Sequence, residues 1–183
     1  MGKILQLKIY LKDIEPKIWR RFLVSDNISF HKLHNIIQEI MGWENYHLYS
    51  FDINNVRIEL PNEKVYGENE SENSKKIKLN KFIGAKKQKF DYLYDFGDSW
   101  EHEIVVEKIF KNLPDGVKRI PYCLDGERAC SPEDCGGVWG YEELIEISKD
   151  KNHPDYEERI KDWLGEDWNF EKFNINEINE RLL

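Results

Sequence analysis

Apolar and polar positions alternate along the beginning of the chain. Residues 5–11 follow a period of two, which is typical of a strand with one buried face. A proline-containing turn leads to a second apolar run at 18–24, so we expect an antiparallel pair. Trp19 is followed there by Arg20 and Arg21, which could recognise anions or bases, or pack along the ring with their charges in water. The apolar positions of the first strand are Leu5, Leu7, Ile9 and Leu11.

The apolar spacing then changes to three and four residues, which predicts an amphipathic helix. Ser29 is a favourable N-cap for this helix, and Gly42 a favourable C-terminal stop. Two further runs at 47–53 and 56–60 predict a third and a fourth strand. The apolar positions of the helix are Phe30, Leu33, Ile36, Ile37, Ile40 and Met41.

A hairpin at 92–107 holds the densest mixture of aromatic, acidic and imidazole groups in the chain. A three-residue loop centred on a glycine with positive φ would pair Tyr94 with Trp100 and Tyr92 with His102. This register keeps the aromatic rings on the core face. We therefore favour it over a two-residue loop, which would set acidic side chains beside those rings.

The hairpin turn and the strand after it supply the candidate binding residues. Their carboxylates could hold a hard cation or serve acid–base chemistry, although those alternating with core residues are equally typical of a solvated face. The histidine is either a buried, hydrogen-bonded side chain or a metal ligand or proton carrier. The candidates are Asp95, Asp98, Trp100, Glu101 and His102.

A turn-rich segment at 123–137 contains all three cysteines. Zinc could hold this segment through the thiolates of Cys123, Cys130 and Cys135, with His102 as the fourth ligand. The four residues between Cys130 and Cys135 fit zinc spacing, whereas the six before Cys130 do not. Buried thiols in a packed loop, a disulfide, and a catalytic thiol with a histidine base are the alternatives, and the pattern leaves them open.

The end of the chain is rich in helical patterns. One apolar stripe begins at Tyr141, a second ends at Gly165, and Asn174 with Glu177 resembles a capping box before a third. Together with the strands, these helices predict an α+β fold. We expect a single domain over 1–183, with a mostly antiparallel, roll-like sheet, packed helices and a helical C-terminal tail.

Composition and charge narrow the class of protein. Aromatic residues make up 13% of the chain and charged residues 34%, which predicts a folded, soluble protein with an aromatic interior. There is no membrane-length apolar run and no signal-peptide pattern, so we expect a cytoplasmic location and no membrane partner. A net charge of −8 opposes a general nucleic-acid role. Seven lysines between Lys75 and Lys89 could still meet nucleic acid, an acidic partner or solvent alone.

Several unusual strings occur in one order along nearly the whole chain, at 11–16, 18–22, 33–43, 47–49, 94–102, 128–137, 153–156 and 163–165. With these strings the chain resembles the Ri-plasmid ORF-3-like family. The resemblance implies a roll-like α+β domain and no established activity. Some members bear the name of mobile-element passenger resolvase-like proteins, but no serine- or tyrosine-recombinase site is present here to carry that activity. Ser131 stands where the family usually has a second proline.

These patterns favour a cytoplasmic binding or adaptor module of uncharacterised function. Its site would lie where the hairpin 92–107 meets the cysteine segment 123–137. A metal-assisted or thiol-dependent enzyme is an alternative, which requires His102 close to Cys130 or Cys135. A nucleic-acid accessory protein of mobile elements, acting through Lys75–Lys89, is another.

Overall fold

The computed structural model describes residues 2–61 and 71–183, and eight strands within them form one open sheet. The strands are β1 (Ile4–Leu11), β2 (Trp19–Ser25), β3 (Tyr49–Ile53), β4 (Val56–Glu59), β5 (Glu72–Asn73), β6 (Lys89–Tyr94), β7 (Trp100–Phe110) and β8 (Tyr122–Glu127). Their spatial order is β5-β4-β3-β6-β7-β1-β2-β8. Every neighbouring pair is antiparallel except β4 and β5.

Besides a 3-10 helix at Leu79–Lys81, four longer helices in the described ranges complete the fold and confirm the predicted α+β class. They are α1 (Phe30–Met41), α2 (Gly137–Lys149), a π-helical segment (Tyr156–Asp162) and the C-terminal α3 (Ile175–Arg181). The predicted caps of α1 are present: the Ser29 hydroxyl accepts from the amide of Lys32, and Gly42 adopts a left-handed conformation with φ 92°. None of the helices in the described ranges is long and apolar enough to cross a membrane.

The predicted hairpin register is confirmed, but its turn is built differently. Tyr94 pairs with Trp100 and Tyr92 with His102, so both aromatic rows face the core. The positive φ values fall on Asp95 (53°) and Ser99 (56°), and not on the central glycine as expected. Aspartate tolerates this conformation because its short polar side chain can bond to the local backbone. Here the Asp95 carboxylate accepts from the amide of Gly97 at 2.9 Å.

The cysteine segment is less irregular than predicted. Residues 123–127 belong to β8, which pairs with β2 at one edge of the sheet. The Asp125-Gly126 pair is typical of a turn in sequence, but both residues lie within β8. Gly126 is needed there because neighbouring side chains pack directly against its backbone. A Cβ added there would lie 2.5 Å from the Phe173 ring and 2.8 Å from the Arg20 side chain. The irregular part of the segment is therefore 128–136, which we call the acidic loop because it carries Glu133 and Asp134.

An aromatic layer joins α1 to the sheet. The Phe30 ring lies 5.2 Å from that of Phe51 on β3 and 6.4 Å from that of Phe90 on β6, and both pairs are edge-to-face. Edge-to-face contacts of this kind add about 0.5–1.5 kcal/mol each to the free energy of burial. These rings fix the helix over the centre of the sheet.

A polar network lies next to this layer. His34 stacks on the Tyr49 ring at 3.6 Å, and its Nδ1 lies 2.8 Å from the Tyr92 hydroxyl. Its Nε2 lies 2.6 Å from the Asn45 side-chain oxygen, which can only accept, so Nε2 carries the proton and Nδ1 accepts. Gln38 closes the network by donating to Tyr92 at 3.1 Å and accepting from the Asn45 amide at 3.0 Å. Two turns of α1 thus hold the backbone of the α1–β3 loop.

The acidic loop docks onto the hairpin turn through a contact that only glycine permits. The amide of Gly136 donates to the Asp98 carboxylate at 3.1 Å. Gly137 has φ 69°, and a Cβ added there would lie 2.6 Å from the Asp98 carbonyl oxygen. The loop and the turn therefore touch backbone to backbone at this point.

We expect Gly137→Ala to lower the free energy of unfolding by about 2–3 kcal/mol, because it adds a left-handed alanine and a clash with backbone. Gly84→Ala is the matched control, since a Cβ there meets nothing within 4 Å. It should stay within about 0.5 kcal/mol of the wild type in urea unfolding. Equal stability of the two variants would contradict the docking contact.

Buried histidines should make stability depend on pH. Burial lowers the pKa of His34 to about 4 and that of His102 to about 3, both below the unfolded value near 6.5. As the pH falls below about 6.5, the unfolded chain gains protons that the folded chain does not. The free energy of unfolding should therefore decrease by about 1.4 kcal/mol per histidine per pH unit, measured by urea unfolding between pH 7 and 5 in EDTA.

A variant pair identifies the source of this slope. His34→Gln should lose the share of the slope that His34 supplies, and His102→Gln the share that His102 supplies. A stability that does not change between pH 7 and 5 would show that these imidazoles are not buried in neutral form.

Candidate functional site

The predicted binding residues separate into buried and exposed groups. Trp100 and His102 are fully buried, and the His102 Nδ1 lies 3.3 Å from the Tyr92 carbonyl oxygen. Glu101 is exposed and lies 3.5 Å from the Lys12 ammonium on the outer face of the sheet. Asp98 holds the acidic loop, as described above. Of the predicted set, Asp95 alone contributes to the cluster described below.

The structure does not gather the four predicted zinc ligands. Cys123 lies in edge strand β8, while Cys130 and Cys135 lie in the acidic loop. No three of these thiols and His102 have ligand atoms within 4.8 Å of one another. Burial raises the pKa of the three thiols to about 11, 12 and 12, in chain order, so they are protonated at neutral pH. Neutral thiols are poor nucleophiles, which also weakens the thiol-dependent alternative.

The lysines between Lys75 and Lys89 lie on the surface. All seven are exposed, and with acids in the described part of the chain two of them form ion pairs, Lys81 with Glu72 at 2.5 Å and Lys89 with Glu103 at 2.8 Å. The predicted interaction of this cluster with nucleic acid stays a prediction.

A different cluster forms where the α1–β3 loop, the hairpin turn and the acidic loop meet. The His47 Nε2 lies 3.1 Å from an Asp134 carboxylate oxygen, and the His47 Nδ1 lies 3.6 Å from an Asp95 oxygen. One ligand atom from each of these three residues lies within 4.8 Å of the others. Within 2–61 and 71–183 this is the one such group of His, Cys, Asp or Glu, and it could hold a metal ion.

Glu133 brings a third carboxylate to the cluster. One of its oxygens, Oε1, accepts from the Tyr94 hydroxyl at 2.8 Å and from the Glu44 amide at 2.9 Å. The other, Oε2, lies 3.9 Å from the His47 Nε2. Both Oε2 and Nε2 are buried and have no hydrogen-bond partner among the described residues. Buried polar atoms are almost always paired, so this carboxylate oxygen and this imidazole nitrogen, 3.9 Å apart, require an explanation.

The backbone around the cluster is held in place from several sides. Asn45, two residues before His47, has φ 62° and is fixed by the polar network under α1. Asp95 and Asp134 also have positive φ, 53° and 54°. Each such residue costs about 1–3 kcal/mol and persists only where its surroundings require it. The three loops therefore hold these side chains in a fixed arrangement.

The surroundings of the cluster are acidic and hydrophobic. Burial, and then its hydrogen bond to Glu133, raises the pKa of Tyr94. The phenol therefore stays protonated and donates a hydrogen bond to the carboxylate. Exposed apolar side chains adjoin the cluster in sequence: Tyr46 and Leu48 on either side of His47, and Phe96 after Asp95. Exposed apolar residues next to polar ones along the chain are compatible with a binding site at this place.

His47, Glu133 and Asp134 were not predicted as site residues from the sequence. His47 appears there as the start of a strand, and the two acids appear as part of a cysteine-containing loop. Their proximity depends on a contact between segments nearly ninety residues apart. The adjacent acids after Pro132, in a segment without periodicity, are the one local signal that could have pointed to them.

Comparison with known proteins agrees with the resemblance in the sequence. The family model described as "Plasmid pRiA4b ORF-3-like protein" matches residues 3–177. The chain is 34% identical over 183 residues to "Uncharacterized protein y4hQ" of Sinorhizobium fredii (strain NBRC 101917 / NGR234), covering all of this chain and 92% of that protein.

A solved structure is also similar. It is the crystal structure of protein of unknown function MM3350 from Methanosarcina mazei Go1, which has 38% sequence identity and a TM-score of 0.82, with 97% of each chain covered. A match of this extent in both sequence and structure defines the family. The chain belongs to the plasmid pRiA4b ORF-3-like family.

Proposed function

We propose that this protein is a metal-binding module whose divalent ion joins the hairpin turn to the acidic loop. The observation that supports the proposal most directly is the pair of buried, unpartnered atoms, His47 Nε2 and Glu133 Oε2, beside an Asp134 carboxylate oxygen. A cation bound to all three of these atoms would give each of them a partner. Asp95 either joins as a further oxygen ligand or orients the imidazole from its Nδ1 side, 3.6 Å away.

The donor set favours particular metals. Imidazole suits Zn²⁺ and Fe²⁺, whereas carboxylates suit Mg²⁺, Ca²⁺ and Mn²⁺. A set of one imidazole and several carboxylates therefore fits Zn²⁺, Mn²⁺ or Fe²⁺ better than Mg²⁺ or Ca²⁺, which seldom bind nitrogen. This replaces the thiolate zinc site predicted from the cysteine spacing with an oxygen-rich one.

A second candidate function, metal-assisted catalysis, is favoured by the openness of the cluster. The Asp134 side chain is 69% exposed and that of His47 26% exposed, so solvent reaches one side of the group. Catalytic metal sites keep such an open position for water or substrate, whereas structural sites are closed by protein ligands. Of the enzyme alternatives, this one fits the described residues better than a thiol-dependent one does.

Purified protein should contain close to one equivalent of transition metal per chain, measured by inductively coupled plasma mass spectrometry after incubation with Zn²⁺ or Mn²⁺. The ion should raise the melting temperature, since ligand at a hundred times its dissociation constant adds about 2.7 kcal/mol to the free energy of unfolding. His47→Gln and Asp134→Asn should each lose the metal and this stabilisation, because each removes one ligand.

Two control variants locate the site. Cys130→Ser should keep the metal, because its thiol lies outside the ligand set. His153→Gln, which alters another histidine with a nearby aspartate at 3.8 Å, should also keep it. Loss of metal in Cys130→Ser together with retention in His47→Gln would overturn the proposal.

Tyr94→Phe tests whether the Glu133 carboxylate is positioned by its hydrogen bonds. The variant removes the donor to Glu133 and the acceptor of the Tyr46 amide, so we expect metal affinity to fall about tenfold or more. Tyr10→Phe is the matched control, since that hydroxyl contacts Glu103 on the outer face of the sheet. Calorimetric titration with Zn²⁺ measures the affinity of both variants. Equal affinities would show that the Tyr94 hydroxyl does not position Glu133.

A further inference from the structure

A recess lies away from the candidate metal site, between the end of α1 and the C-terminal tail. Its volume is about 470 Å³, within the range of small-molecule pockets. Arg20 lies in its wall, where Cys130 and the end of α1 also contribute. Trp168, Phe173 and Arg181 form part of the side contributed by the tail.

Arg20 is a buried cation without a carboxylate partner. Its residue is 2% exposed, and its guanidinium donates to the backbone carbonyls of Trp19, Ile40, Glu127 and Arg128 at 2.8–2.9 Å. No carboxylate in the described part of the chain lies within 4 Å of it. Carbonyl dipoles satisfy four of its five N–H groups but supply no negative charge, so one N–H of Nη2 stays available.

A second guanidinium lies in the same recess and is also without an ion pair. Arg181 donates from Nε to the Glu39 carbonyl oxygen at 3.1 Å, and no ion pair forms between it and any residue that the structure describes. The N–H groups on its Nη1 and Nη2 have no acceptor within the same ranges. Burial, with the Arg181 charge adding to it, lowers the pKa of Arg20. Like charges brought together without a counter-ion are unfavourable unless an anion joins them.

The thiols in this region cannot act as that anion. Burial raises the pKa of Cys130 to about 12 and that of Cys123 to about 11, so both are neutral at physiological pH. The acids that line the recess, Glu166, Asp167 and Glu177, are exposed and form no ion pair with either arginine in the structure described here. The two guanidinium groups that line the recess are thus left without a counter-ion among the described residues.

We propose that this recess binds a small organic anion. Its carboxylate or phosphate head would lie against Arg20 and Arg181, and its apolar body against the rings of Trp168 and Phe173. Guanidinium groups match the planar or tetrahedral oxygens of such heads. The exposed acids at the rim disfavour a long polyanion, so the inference is a small molecule and not a nucleic acid. None of the residues proposed to bind the metal ion lines this recess.

The test is calorimetric titration of EDTA-treated full-length protein with two probes, phenyl phosphate and benzoate, each up to about 10 mM. At least one probe should bind at a single saturable site, and the stronger of the two identifies the preferred head group. Arg181→Gln should weaken this binding about tenfold without lowering the melting temperature, because Arg181 is exposed and holds one carbonyl.

Arg57→Gln is the matched control, since Arg57 lies on β4, six strands from β8 in the sheet, and should bind the probe as the wild type does. If the Arg20→Lys variant folds, it should no longer bind the probe. If it does not fold, the binding of the probe by Arg181→Gln tests the proposal. Absence of binding by both probes, or equal binding by the wild type and Arg181→Gln, would overturn the proposal.

Discussion

The contact between the hairpin turn and the acidic loop is the constraint on which the candidate site depends. Gly137 lies against the Asp98 carbonyl, and the Gly136 amide bonds to the Asp98 carboxylate. A side chain at Gly137 would force the two segments apart. Because this contact is made backbone to backbone, Asp134 is brought within reach of His47, and Asp95 faces the same imidazole.

The polar network under α1 extends this constraint into the core. His34 and Gln38 hold Asn45, which sets the loop that presents His47. Tyr94 then links the hairpin to the acidic loop through Glu133. Unpaired polar atoms are costly in a buried network, and two of the buried unpaired atoms among the described residues, His47 Nε2 and Glu133 Oε2, lie at its end, where the ion is proposed to bind. The network thus has both a structural role and a role in positioning the site.

Local patterns were sufficient to predict much of the fold and little of the site. The alternation in β1, the caps of α1 and the Tyr94–Trp100 register follow from neighbouring residues and from the need to bury one face. His102 was a reasonable metal ligand by type, but the register that was correctly predicted buries it completely. His47, Glu133 and Asp134 meet through tertiary contacts that no periodicity encodes. The Arg20 head group lies in the interior among backbone carbonyls, and not in water, because of tertiary contacts of the same kind.

The central claim is that the ion lies between the three loops and not among the cysteines. Anomalous diffraction from crystals grown with Zn²⁺ tests it most directly. We expect a single strong peak about 2.0–2.2 Å from His47 Nε2 and from carboxylate oxygens of Asp134 and Glu133. A peak bound to the sulfur atoms of Cys130 or Cys135, with none at His47, would contradict it.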